Sequence, residues 1–146
     1  MSLTRESVFE AAQGVLGSFG LSTEMLAESH SFFGSDIWTS WVQVTGTGQW
    51  VVLMTCSSDL VVKIAAAMFE MEQDEISDDL VVDAVGEMTN MISGQAKGLL
   101  DPAADMSTPS VKENEECEDI FPDAKALADV QLQCDGEVCK VMILEA

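Results

Sequence analysis

The sequence predicts an α+β domain in which a largely antiparallel sheet packs against a long central helix and two further helices. Three observations lead there. Ser77–Leu100 repeats apolar residues at helical spacing over an unusually long stretch. Two pairs of segments rich in β-branched and aromatic residues each flank a turn signal. The segments run helix, strands, helix, long helix, strands, so helices and strands do not alternate one by one as a parallel sheet would require.

Taken in order, Thr4 is a suitable cap for a first helix with Val8, Ala11, Ala12, Val15, Leu16 and Phe19 on one side. Gly17 and Gly20 are suitable terminators. Glu24–Ser31 is expected as an edge strand before a turn at Gly34-Ser35-Asp36. Ile37–Val44 and Gln49–Cys56 surround Gly46-Thr47-Gly48 and predict an antiparallel hairpin. Trp38, Trp41 and Trp50 fall in this hairpin, where packing on a sheet accounts for large rings better than a stacking surface does. Ser57 or Ser58 then caps a second helix, with Leu60, Val61, Ile64, Ala65, Met68 and Phe69 facing inward. Glu70–Glu75 is an acidic link.

The central helix begins at a Ser77 cap, with Asp78 and Asp79 in the first turn where the helix dipole favours negative charge. Leu80, Ala84, Val85, Met88, Met91, Ile92, Ala96, Leu99 and Leu100 make its inward stripe, and Asp101-Pro102 ends it. Methionines 68, 71, 88 and 91 are expected to fill the core. Met106–Val111 is expected to be a short extended piece, confined by Pro109 to an edge or irregular position. Lys112–Lys125 is acidic, contains Pro122 and is expected as an exposed excursion. Ala128–Cys134 and Val138–Leu144 flank Asp135-Gly136, the signal for a closing hairpin. No internal repeat of useful length is present.

A chain of 146 residues suits one domain spanning 1–146. Six Lys and Arg against 26 Asp and Glu leave a net charge of −20, which argues against nucleic acid and against anionic membrane surfaces. A partner with a basic rim is the electrostatic complement. No apolar run approaches the roughly 20 residues needed to span a bilayer, and no secretion signal is visible. A cytoplasmic location is expected. Cys56, Cys117, Cys134 and Cys139 lack the short spacing of a zinc knuckle, and His30 is the single imidazole. They are expected to be reduced structural thiols, which leaves a metal or small-molecule sensor with little support.

The outward side of the central helix carries Asp79, Asp83, Glu87, Asn90 and Gly94, spaced by four, four, three and four. A period of about 3.6 residues brings these into one row, with Glu87 and Asn90 a turn apart. Taken alone, such a pair is read as a solvated helix face. Gly94-x-x-x-Gly98 would permit close approach of another backbone, though soluble helices carry such spacing without that role.

Embedded in its surroundings, the pair says more. The segment DAVGEMTNMISGQAKGLL resembles the signature helix of the CheX/CheC/FliY family of chemotaxis phosphatases. The matching pattern is Asp83, Glu87, Asn90 and, downstream, Pro109. VTGTG at Val44–Gly48, SSDLVVKIAAAM at Ser57–Met68 and STPSV at Ser107–Val111 resemble CheX in particular, as does the presence of a single such motif. The likeness runs from about Ile37 to Val111. Two departures are a shorter link from Asn90 to Pro109 and an acidic Lys112–Lys125 piece without a counterpart.

The resemblance implies hydrolysis of the aspartyl-phosphate on a CheY-like response-regulator receiver. Asn90 would position the attacking water, and Glu87 would pair with the receiver's lysine. Asp83, Glu87 and Gly94 would lie against that partner. No cofactor is expected on this chain, because a divalent metal such as Mg would sit on the receiver. The family resemblance also implies a homodimer. The alternative on the same fold is a non-catalytic receiver-binding or dimer-scaffold module.

Overall fold

The computed structural model describes residues 3–27 and 36–146. The chain runs α1 (Arg5–Gly17), β1 (Thr23–Met25), β2 (Ile37–Thr45), β3 (Gln49–Ser57), α2 (Ser58–Phe69), α3 (Asp78–Leu100), β4 (Asp105–Met106), β5 (Ser110–Glu113), α4 (Cys117–Ile120), β6 (Lys125–Cys134) and β7 (Glu137–Glu145). The strands form one antiparallel sheet in the order β1-β6-β7-β3-β2, and both β4 and β5 pair with the free side of β2. This is the α+β architecture expected from the order of segments.

Local chemistry starts and stops the elements where the residues imply. Thr4 and Ser7 form a reciprocal capping box at α1. Ser57 caps α2 and Ser77 caps α3, each hydroxyl accepting a backbone N–H. The β6–β7 turn needs two consecutive positive φ values, and Asp135 (49°) and Gly136 (85°) supply them. At the β2–β3 turn, Gly46 approaches another segment closely. A Cβ there would run into the Asp101 carboxylate and come within 2.9 Å of the Ala104 Cβ. Asp101 accepts from the Thr47 N–H at 2.9 Å and the Ala103 N–H at 3.0 Å, so the end of α3 is pinned to the hairpin tip.

The main core lies between one face of the sheet and α1, α2 and α3. Leu16, Leu60, Ile64, Met88 and Ile92 meet Val52, Met54, Val130, Leu132, Val141 and Ile143 there. On α3 the buried stripe includes Val81, Ala84, Val85, Met88, Ile92 and Ala96. Val81 takes the place expected for Leu80, which is half-buried, as are Met91, Leu99 and Leu100. Thr89 and Ser93 are also buried. Their hydroxyls donate back to the carbonyls of Val85 (2.9 Å) and Thr89 (2.6 Å), so no unpaired donor opposes that packing.

Two expectations are corrected. Lys112–Lys125 is not an open excursion: β5 extends to Glu113, and the segment beyond it folds over the far face of the sheet. Cys117 is buried there with Val51, Leu53, Met142 and Leu144, and Phe121 and Ala124 pack against this second cluster. An acidic composition concealed the few apolar residues that turn inward. The edge strand expected at Glu24–Ser31 is shorter and earlier: β1 ends at Met25, and residues 28–31 of that expectation lie outside the described ones, as do Gly34 and Ser35. Met106–Val111 is extended along the edge as expected, with the ladder interrupted between β4 and β5 where Pro109 has no N–H to offer.

All four cysteines are free and buried. The Cys56 thiol donates to Cys139 Sγ at 3.1 Å across paired strands. That bond, then burial, raises the Cys56 pKa well above the thiol norm. Burial pushes Cys134 up to about 12, helped by Cys139 and Asp135.

Candidate functional site

The candidate row is built by α3, whose opposite side is fixed by the core. Asp79, Asp83, Glu87 and Gly94 are exposed, and Asn90 is half-buried. The four predicted site residues, Asp83, Glu87, Asn90 and Gly94, therefore share one outward face. Neither the Glu87 carboxylate nor the Asn90 carboxamide is held by a hydrogen bond or ion pair to another described residue. The single ion pair among the described residues lies elsewhere, between Lys140 and Asp129 at 3.8 Å. A carboxylate and a carboxamide left unengaged on a rigid, core-anchored helix keep their full capacity for an incoming molecule. A Cβ built on Gly94 meets nothing within 4 Å, so that end of the row is open to close approach.

The face is strongly anionic. Asp78 and Asp79 lie in the first turn, Asp83 and Glu87 follow, and Lys97 is the basic residue of the last turn. Asp78 and Asp79 complement the helix dipole. Asp83 and Glu87 lie beyond that turn and have no cation partner among the described residues, so their charge is uncompensated by an ion pair there. Val82, 38% exposed, places an apolar side chain beside this acidic row.

Composition and spacing did not reveal what borders the row. The chain returns along the sheet edge after α3, and Ser107 anchors it to β2. Ser107 N–H donates to the Gln43 carbonyl at 2.9 Å, and Gln43 N–H donates to Ser107 Oγ at 2.9 Å. Beyond Pro109, β5 pairs Ser110 with Trp41 and continues to Glu113 opposite Trp38. Between these anchors the Pro109 ring lies over α3 at Gly86. A Cβ built on Gly86 would sit 3.3 Å from Pro109 Cγ and 3.9 Å from Val111 Cγ2. Gly86 was not singled out in the sequence, although a glycine inside a helical pattern, next to Glu87, was the signal available.

Among the described residues no group of three or more His, Cys, Asp or Glu is arranged to hold a metal ion. His30 lies outside them. No helix among the described residues is long and apolar enough to cross a membrane.

Comparison with known structures gives the same architecture. CheX from Desulfovibrio desulfuricans superposes with a TM-score of 0.69 at 21% identity, over 96% of this chain and 97% of that one. CheX from Vibrio vulnificus matches with a TM-score of 0.69 at 19% identity, over 98% and 99%. A complex of CheX with CheY, BeF3 and Mg2+ from Borrelia burgdorferi matches with a TM-score of 0.70 at 18% identity, over 95% of each chain. No curated protein matches the sequence. The family model described as chemotaxis phosphatase CheX matches residues 38–126, more than half of the chain, and takes in β2, β3, α2, the whole of α3 and the Pro109 strap. With the family model matching over half of its length and the fold in agreement, the chain belongs to the CheX family.

Proposed function

We propose that this chain hydrolyses the aspartyl-phosphate of a CheY-like receiver domain, with Asn90 positioning the attacking water and Glu87 docking the receiver's lysine. The observation that carries this reading is the pair of polar side chains, Glu87 and Asn90, unengaged among the described residues on the outward face of a helix fixed by the core. Family membership and the likeness to a CheX solved with CheY support the choice of partner.

The chemistry asks little of this chain. An acyl phosphate is already activated, so the barrier falls mainly through alignment and charge stabilisation. Water attacks phosphorus in line, the phosphorus–oxygen bond to the aspartyl group breaks, and the products are inorganic phosphate and a free carboxylate. A carboxamide accepts one of the water's protons in a hydrogen bond and donates through its NH2, fixing the oxygen's direction without adding negative charge beside the phosphoryl group. Glu87, a turn earlier, forms a charge-assisted contact with an ammonium and so sets the docking register. Neither residue forms a covalent intermediate. In this reading the divalent metal that screens the phosphoryl charge belongs to the receiver. Asp83 and Gly94 extend the contact along the same row.

The partner is a phosphorylated receiver in a chemotaxis or other two-component circuit, and the location is the cytoplasm, where such receivers reside. A homodimer joined through sheet edges belongs to the same proposal. β1 leaves backbone groups of one sheet edge without a strand partner among the described residues, and light scattering at working concentration reads the mass. The test of function is release of phosphate from receivers charged with acetyl phosphate, with and without this chain. Acceleration that disappears in Asn90→Ala supports catalysis. Binding without acceleration assigns the chain to the rival role of a receiver-binding module.

A further inference from the structure

We propose that Gly86 is a positioning residue for Asn90, acting through Pro109. The inference rests on the proposed phosphatase reading and adds to it how the carboxamide is aimed.

Side chains on an α-helix lean toward its N-terminus, over the turn that precedes their own Cα. Asn90 therefore leans back over the turn that begins at Gly86, its i−4 neighbour. Gly86 presents no side chain there, and the Pro109 ring occupies the vacated space from the strap side, Cγ 3.3 Å from where a Cβ would stand. Glu87, which does not lean toward that slot, is exposed, whereas Asn90 is half-buried. The strap cannot drift outward freely. Ser107 holds it to Gln43 by two hydrogen bonds on one side of Pro109. On the other side the β5 ladder holds Ser110 to Trp41, and Asn114 closes onto Ile37 through the Asn114 N–H to the Ile37 carbonyl (2.9 Å) and the Ile37 N–H to Asn114 Oδ1 (3.3 Å). A proline clamped at both ends and seated on a bare turn is a fixed wall on the turn over which the carboxamide leans. The missing Cβ at Gly86 sets how close that wall stands.

A methyl group at Gly86 forces Pro109 to give by about a few tenths of an ångström. Misplacement on the order of 1 Å costs about 10²-fold in rate when catalysis is positional, so a shift of this size predicts about a tenfold loss. Docking through Glu87 is not touched. The experiment is a double-mutant cycle of Gly86→Ala and Pro109→Ala, assayed with the CheY-like receiver that the native chain dephosphorylates, charged with acetyl phosphate. Gly86→Ala is expected to lower kcat about tenfold with KM for the receiver within about twofold. In the Pro109→Ala background, which removes the ring, the same substitution is expected to leave kcat within about twofold of Pro109→Ala alone. Gly14→Ala in α1, where a Cβ meets nothing within 4 Å, controls for helix propensity and leaves kcat unchanged. A Gly86→Ala enzyme with native kcat, a loss confined to KM, or an equal loss in both backgrounds overturns the proposal. Should Gly86→Ala not fold, Pro109→Ala alone decides: a few-fold fall in kcat at constant KM supports the wall, and native kcat removes it. Asn90→Ala in the same assay separates the two levels. If it retains native kcat the phosphatase reading fails; if it is inactive while the cycle is additive, the positioning role alone fails.

Discussion

The rings of Trp41 and Phe121 meet edge to face, their centroids 5.5 Å apart and their planes at 87°. This contact ties the acidic segment after β5 to the far side of the sheet, where β3 is buried continuously from Val51 to Ser57. A strand covered on both faces needs a lid on each side. Helices supply one, and the α4 segment supplies the other.

Phe121→Ala should therefore destabilise the fold by about 1–3 kcal/mol, the range for removing a half-buried ring and its aromatic partner. Urea unfolding should show a lower midpoint with little change in slope. A midpoint equal to the native one would mean that the segment does not cover the sheet.

Asp101 gives a pH-dependent prediction. The Thr47 N–H, then the Ala103 N–H, hold its carboxyl below the ordinary value of 3.8. A depressed folded-state pKa contributes stability that is complete above the unfolded-state pKa and is lost as pH falls through the folded one. The stability gap between native protein and Asp101→Asn should thus be constant at neutral pH and begin to close only as pH drops below the ordinary carboxylate value. A gap that widens on acidification would contradict the assignment.

The thiols should be inert in the folded state. Cys56 is raised by its bond to Cys139 and by burial, Cys134 by burial to about 12, and Cys117 by burial first and Glu118 next. A thiol-specific disulfide reagent at pH 8 should react negligibly with native protein and with all four cysteines after unfolding. Fast stoichiometric reaction without denaturant would show a sulfur that is accessible.

Reversal of charge at the docking position is informative as well. Glu87→Lys places an ammonium opposite the expected receiver lysine, so KM should rise at least tenfold while thermal stability stays near native, because Glu87 is exposed and has no ion-pair partner among the described residues. Unchanged affinity measured by calorimetry would remove Glu87 from the interface.

What could be read from sequence follows the range of the interactions involved. Caps, turn residues and the α3 stripe depend on neighbours within a few positions, so Thr4, Ser57, Ser77 and Asp135-Gly136 identified their elements directly. The row of Asp83, Glu87, Asn90 and Gly94 follows from helical periodicity in the same way. Contacts that join distant segments left no local trace. Phe121 reaches Trp41 from an acidic stretch whose composition suggests solvent, and Pro109 reaches Gly86 by a return path along the sheet edge. Val81 rather than Leu80 is buried with Val85, Met88 and Ile92, the i, i+4, i+7 and i+11 positions of one helical stripe, because Leu80 lies at the margin of that stripe.

The rate of phosphate release from an acetyl-phosphate-charged receiver, compared between native protein and Asn90→Ala, tests the central claim most directly. The account predicts a fall of about 10²-fold or more with receiver binding preserved. A variant that dephosphorylates the receiver at the native rate would contradict it.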